Sequence, residues 1–207
     1  DVGAEHTIAH PRDLDDQITG AVDASASWGA LSGAERADIL VRAAHSLEKN
    51  RARLLEVMAS ECGKTLDQSD PEVSEAIDFA LHYAELAREL DEVDGAQFHP
   101  VGLTLVVPPW NFPVAIPAGS TLAALAAGSS VIIKPAPQAR RCGAIMVQAL
   151  WEAGVPRDVL RLVNVGEDQL GRQLISDPRV DRLILTGAFE TAELFRSFRP
   201  DLPLFGE

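Results

Sequence analysis

The stretch Pro108-Pro109-Trp110-Asn111-Phe112-Pro113 sets a carboxamide among three prolines. Proline fixes its own φ and biases the residue before it towards extended geometry, so the stretch reads as a rigid turn holding one side chain, that of Asn111. Such an Asn can present an amide donor to a ligand or merely cap the next helix. Three further apolar runs end in residues of interest: Lys134-Pro135, Val165-Gly166-Glu167-Asp168 and Leu185-Thr186-Gly187-Ala188. The last opens a helix, whose first amides lack partners and sit at the positive end of the dipole, a place suited to an anion. A final run, Leu202-Pro203-Leu204-Phe205-Gly206, ends in the carboxylate of Glu207.

The two thiols read as inert. Cys62 closes a predicted helix, where the dipole disfavours a thiolate, whereas Cys142 lies beside Arg140 and Arg141, which could lower its pKa. Two cysteines far apart in the chain are too few and too distant for a disulfide framework or a zinc site, and no metal is expected. None of His6, His10, His45, His82 and His99 stands at a recognisable spacing from another catalytic residue type.

The elements that must position these residues follow from periodicity. From Ser32, with Glu35 completing a capping box, to Gly63 the spacing of Ile39, Ala43, Leu47, Leu54, Val57 and Met58 predicts one amphipathic helix. A second is expected after Asp70 with Pro71 in its first turn. These helices should pack on a neighbouring domain or subunit. After Gly95 the chain alternates short β-branched runs with helical ones: strands over 103–107, 130–133, 159–163 and 182–185, and helices over 120–127, 143–152 and 169–175. That alternation predicts an α/β fold, a parallel sheet with helices on both faces, preceded by a helical segment. The boundaries expected are 1–95 for the helical segment and 96–207 for the sheet. In such sheets ligands bind at the carboxyl ends of the strands, where Asn111, Lys134, Gly166 and Thr186-Gly187 all fall.

The Pro-Trp-Asn-Phe-Pro string, with Lys134-Pro135 and Leu185-Thr186-Gly187, resembles the aldehyde dehydrogenase superfamily, from about Trp28 to Glu207. The resemblance implies a Rossmann-like coenzyme domain that works without Gly-X-Gly-X-X-Gly, a motif this chain lacks. It implies that Asn111 donates to the oxyanion of a thiohemiacetal, a contact generally worth about 100- to 1000-fold in rate. It implies that Glu207 is the general base for thioester hydrolysis. Pro109, Trp110, Lys134, Gly166, Thr186, Gly187 and Ala188 would line the coenzyme site, with Lys134 on the adenosine ribose. The family often has Glu three residues after that lysine, where it holds the ribose; Pro137 stands there instead and removes one reason for preferring NAD, so NAD is expected with NADP not excluded. Ala188 likewise lacks the hydroxyl of the family's serine. The strings Ala76-Ile77-Asp78-Phe79 and Glu190 to Pro203 look most like the glutamate-semialdehyde branch, the 1-pyrroline-5-carboxylate dehydrogenases. That branch oxidises L-glutamate γ-semialdehyde to L-glutamate in proline catabolism. Its parent protein would be a homo-oligomer, in bacteria often fused behind a proline dehydrogenase. The family's nucleophilic cysteine lies further along than Glu207, so these residues alone are expected to be inactive.

Composition narrows the alternatives. A formal net charge of −13, from 31 acidic against 18 basic residues, argues against a nucleic-acid partner. No run reaches the roughly 18 apolar residues of a membrane span, and the acidic N-terminus, with Asp1, Glu5 and Asp13, is unlike a signal peptide. A cytoplasmic location is the simplest expectation. Two competing readings remain: a non-catalytic nucleotide-binding or assembly module, and an aldehyde dehydrogenase for a different small aldehyde.

Overall fold

The computed structural model describes residues 3–207, so Asp1, one of the acidic residues at the N-terminus, lies outside it. Its centre is a five-stranded sheet in the order β3-β2-β1-β4-β5. The strands are β1 (Leu103–Val107), β2 (Ser130–Ile133), β3 (Leu160–Leu162), β4 (Arg182–Leu185) and β5 (Leu204–Gly206). Every pairing is parallel, with Leu105 opposite both Ile132 and Leu183. Because successive side chains alternate, Leu103, Leu105 and Val107 point to one face and Val106 to the other, and both faces are buried.

The face bearing Val106, Val131 and Ile133 is covered by α5 (Ala115–Ala126) and α6 (Arg140–Glu152). The opposite face is covered by α1 (Pro11–Gly29), α7 (Gln169–Ser176) and α8 (Phe189–Phe198), through Leu14, Ile18, Leu174 and Phe195. A further layer, α2 (Gly33–Lys49), α3 (Arg51–Cys62) and α4 (Leu66–Leu90), packs on α5 and α6. One apolar core therefore runs from Leu40 and Leu47 through Leu122 and Leu150 to the sheet. The partner expected for these helices lies within the chain itself.

Five helix expectations need correction. The single helix over Ser32–Gly63 is two, because Asn50 turns its amide back onto the Ser46 carbonyl (3.0 Å), a local bond that competes with helix continuation, and across to Glu152 (3.1 Å) on α6. The next helix begins at Leu66, five residues before Pro71, which sits inside it and leaves the Asp67 carbonyl without an i+4 donor. The helix α1 was not foreseen; its buried stripe of Leu14, Ile18, Ala21 and Trp28 is diluted by Ala, Ser and Asp. The helices expected over 120–127 and 143–152 begin earlier, at Ala115 and Arg140. The capping box of Ser32 and Glu35 is present as read.

Both ends of α5 are closed by side chains distant in the chain. Its first amides, Val114 at 2.7 Å and Ala115 at 3.1 Å, donate to the buried carboxylate of Glu72 on α4. Its last carbonyls accept from Trp28 Nε1 (Leu125, 3.0 Å) and Arg36 Nε (Ala126, 2.9 Å). Helix termini need such partners when buried.

Candidate functional site

In the strand order, the chain winds outward from β1 through β2 to β3, then returns to the other side of β1 to lay down β4 and β5. The reversal opens a crevice between the carboxyl ends of β1 and β4, where sheets of this kind take their ligands. A cavity of about 370 Å³ occupies it. Its walls hold Pro108 and Trp110 after β1, Lys134 after β2, Gly166 and Glu167 after β3, and Thr186 and Gly187 after β4. The structure thus brings together Trp110, Lys134, Gly166, Thr186 and Gly187 among the expected residues. Pro109 and Ala188 flank the wall without lining it.

Lys134 is the decisive group. It is 5% exposed, and among the described residues no acceptor takes a hydrogen bond from its ammonium. Burial lowers its pKa from the ordinary value, the carboxylate of Glu167 opposes that, and Arg140 adds to it. A partly desolvated cation without a protein partner carries a cost that a ligand's oxygens can offset. The loop that closes this side of the cavity is set by close packing, since a Cβ on Gly171 would lie 2.3 Å from the Gly166 carbonyl oxygen. Asp168 caps α7 there by accepting from the Leu170 amide at 2.9 Å.

The turn at Thr186 differs from its expected use. The Thr186 amide donates to Val107 (3.2 Å) and the Gly187 amide to the Glu207 carbonyl (3.0 Å), so both complete the sheet. The amides of Ala188, Phe189 and Glu190, at the start of α8, have no acceptor among the described residues and are the ones open to an anion.

Asn111 is exposed and does not cap α5, whose N-cap is Val114. It lines a second cleft, with Cys62, Gly63, Lys64 and Phe112, and Trp110 forms the wall between this cleft and the first. The turn is gripped from behind. The Lys64 ammonium donates to the Asn111 carbonyl at 3.0 Å, lies 4.4 Å from the centre of the Phe112 ring, and forms an ion pair with Glu72. Since Glu72 also holds the Val114 and Ala115 amides, one buried Lys–Glu pair fixes the turn on both sides of Asn111. Sequence reasoning gave Glu72 no role, although an acid on the apolar stripe of α4, beside Val73 and Ala76, was the available signal.

Glu207 and Asn111 line different clefts. Its carboxylate borders a third cleft with Phe79, Tyr83, Ile116, Arg182 and Phe205. Burial raises the Tyr83 pKa, and the charge of Glu207 adds to the rise.

The cysteines require a correction. The packing of α3 on α6 brings the Cys62 and Cys142 sulfurs, remote in sequence, to 3.8 Å. Burial, not the neighbouring arginines, dominates at Cys142 and pushes its thiol far up; burial also raises Cys62. Neither offers a ready thiolate.

With this geometry in view, comparison with known proteins is decisive. The description "Aldehyde dehydrogenase family" matches residues 1–197. The chain belongs to the aldehyde dehydrogenase family. It is 39% identical over 188 residues to the bifunctional protein PutA of Escherichia coli (strain K12), covering 91% of this chain and 14% of that protein. It is 32% identical over 203 residues to a 1-pyrroline-5-carboxylate dehydrogenase of Staphylococcus saprophyticus, covering 92% of this chain and 39% of the relative. Among solved structures, Proline Utilization A from Corynebacterium freiburgense superposes with a TM-score of 0.91 at 45% identity, over 97% of this chain and 20% of that one. The chain therefore spans well under half the length of the relatives it matches. The α/β architecture expected from sequence is the one this family shares.

Proposed function

We propose that this chain is the coenzyme-binding part of an NAD(P)-dependent aldehyde dehydrogenase, with L-glutamate γ-semialdehyde as the parent protein's substrate and L-glutamate as its product. The observation that carries the coenzyme assignment is Lys134, a largely buried residue in the wall of the cavity at the β1/β4 reversal whose solvent-accessible ammonium has no hydrogen-bond partner among the described residues. The substrate assignment draws on the likeness to proteins named 1-pyrroline-5-carboxylate dehydrogenase and PutA. In this reading the parent is a homo-oligomer, joined in PutA-like proteins to a proline dehydrogenase. Residues 1–95 serve as the helical segment and 96–207 as the coenzyme region.

Lys134 would hold ribose hydroxyls, the free amides at the head of α8 the pyrophosphate, and Trp110 and Gly166 the walls, with Pro109 flanking them. The bound coenzyme supplies a hydride acceptor. Asn111 presents its carboxamide to the developing oxyanion, and the Lys64–Glu72 pair keeps the turn from yielding as charge builds. Glu207 would take a proton from water. Burial keeps both thiols protonated, so the chain by itself is proposed to bind without turning over.

Calorimetric titration of the chain with NAD and NADP tests this reading. Binding of NAD should weaken about 10- to 150-fold in Lys134→Met, the worth of one hydrogen bond to a charged group. Glu167→Gln should improve NADP relative to NAD about fivefold, since that carboxylate lies in the cavity and repels a further phosphate by about 1 kcal/mol. Unchanged NAD affinity in Lys134→Met would remove the proposed site.

A further inference from the structure

Outside these clefts the structure gathers three metal-ligating side chains. Cys62 ends α3, Cys142 lies in the first turn of α6, and their sulfurs stand 3.8 Å apart. A carboxylate oxygen of Glu61 completes the group, all three donor atoms lying within 4.8 Å of one another. We propose that Glu61, Cys62 and Cys142 form a binding site for one thiophilic divalent cation of the zinc type, with a water molecule as fourth ligand. This goes beyond the dehydrogenase reading and does not depend on it.

Four observations support the site. A tetrahedral centre with metal–sulfur bonds of about 2.3 Å places its two sulfurs about 3.8 Å apart, the separation already present here without a metal. The third ligand is also oriented in advance, because the two Glu61 oxygens accept from the Arg141 amide (2.9 Å) and the Cys142 amide (2.7 Å). Hydrogen bonds of this outer kind aim carboxylate ligands in metal sites. The charge balances well: two thiolates and a carboxylate around a dication leave one negative charge, at the N-terminus of the 13-residue α6 and beside Arg140 and Arg141. Finally, there is a way in, since half-buried Cys62 lines the open cleft that also holds Asn111.

Binding exchanges each S–H bond for a metal–sulfur bond and releases two protons to solvent, with no change of oxidation state. A bound cation would tie the end of α3 to the start of α6. That links Gln138 in the coenzyme cavity wall, whose carbonyl accepts from Cys62 at 3.5 Å, to Lys64 behind the Asn111 turn.

The test is titration of the reduced, metal-free chain with Cd²⁺, read by the ultraviolet charge-transfer absorption of cadmium thiolate. The expected result is a band saturating at one equivalent, displaced by Zn²⁺, with two protons released. Cys62→Ser and Cys142→Ser should each weaken binding by at least about 100-fold, the upper end of what outer-shell partners alone contribute. Because Cys142 is buried, far-ultraviolet circular dichroism checks its variant, and the half-buried Cys62 provides the second arm. No band at equimolar cadmium overturns the proposal. So does cadmium affinity unchanged in either single variant, or Zn²⁺ uptake without the thiolate band, which would place the ion on surface carboxylates or histidines.

Discussion

Replacing Glu72 by alanine should be among the most damaging single changes available to this chain. Its carboxylate, 2% exposed, accepts from the Val114 amide at 2.7 Å and the Ala115 amide at 3.1 Å and pairs with Lys64. Alanine leaves two buried amides and the ammonium of Lys64, whose side chain is 11% exposed, without their common partner. Removing one member of a buried pair typically costs about 3–5 kcal/mol, and two charge-assisted hydrogen bonds at about 1.5–3 kcal/mol each give an overlapping range of about 3–6 kcal/mol. At roughly 2–4 °C per kcal/mol for a chain of this size, the melting temperature should fall by about 6–20 °C. Glu72→Gln keeps an acceptor for the two amides and loses only the charge, so its cost should be intermediate. Urea unfolding followed by circular dichroism measures all three. A loss below about 1 kcal/mol for alanine, or a glutamine variant as damaged as the alanine one, would refute the clamp as the turn's support.

Lys134→Met should leave unfolding free energy unchanged or raise it, since burial already disfavours the ammonium in the fold; a clear loss in urea unfolding would contradict that cost. Ala188 is the N-cap of α8 and supplies no side-chain acceptor, so Ala188→Ser should stabilise by about 0.5–2 kcal/mol in the same assay, and no gain would mean the cap geometry is wrong. Burial alone would raise the Asp177 pKa, but hydrogen bonds and charge from Arg179, with Arg199, carry it below its ordinary 3.8. A depressed carboxylate contributes stability that is complete above its unfolded pKa and disappears as pH falls through the folded one. Urea midpoints should therefore drop below about pH 4, and Asp177→Asn should flatten that slope; an unchanged slope would assign the acid sensitivity elsewhere.

The sheet was legible because its signals are local. Leu103-Thr104-Leu105-Val106-Val107 and Ser130-Val131-Ile132-Ile133 are short β-branched runs flanked by turn residues, and strand bounds drawn from them coincide with β1 and β2. Placing Asn111, Lys134, Gly166 and Thr186 at one edge needed only the rule that parallel strands point the same way. What escaped depends on partners distant in the chain. Glu72 looks like any acid on a helix until α4 meets α5, and the Gly187 amide looks free until Glu207 comes beside it. Cys62 and Cys142 look unrelated until α3 packs on α6. Charge neighbours in sequence misled at Cys142, where desolvation outweighs two adjacent arginines.

The same long-range contacts bear on whether residues 96–207 can stand alone. The helix that comes after the Asn111 turn, α5, has both termini closed by side chains from before residue 96: Glu72 at its start, Trp28 and Arg36 at its end. Its side towards α4 is covered by the helical segment, Gly119 lying against the Phe79 ring. Without residues 1–95, two amides and two carbonyls that are now paired would lose their partners, and an apolar helix face would meet water. Each unpaired group that stays buried costs about 1–3 kcal/mol, so four together approach the whole stability of an ordinary domain, about 5–15 kcal/mol. Expressed alone, 96–207 should therefore show no cooperative unfolding transition and should bind hydrophobic dye, while the 207-residue chain unfolds sharply. A cooperative transition in the shorter piece would mean that α5 finds its own caps, and the helical segment would then support the Asn111 turn without being needed to build the sheet beneath it.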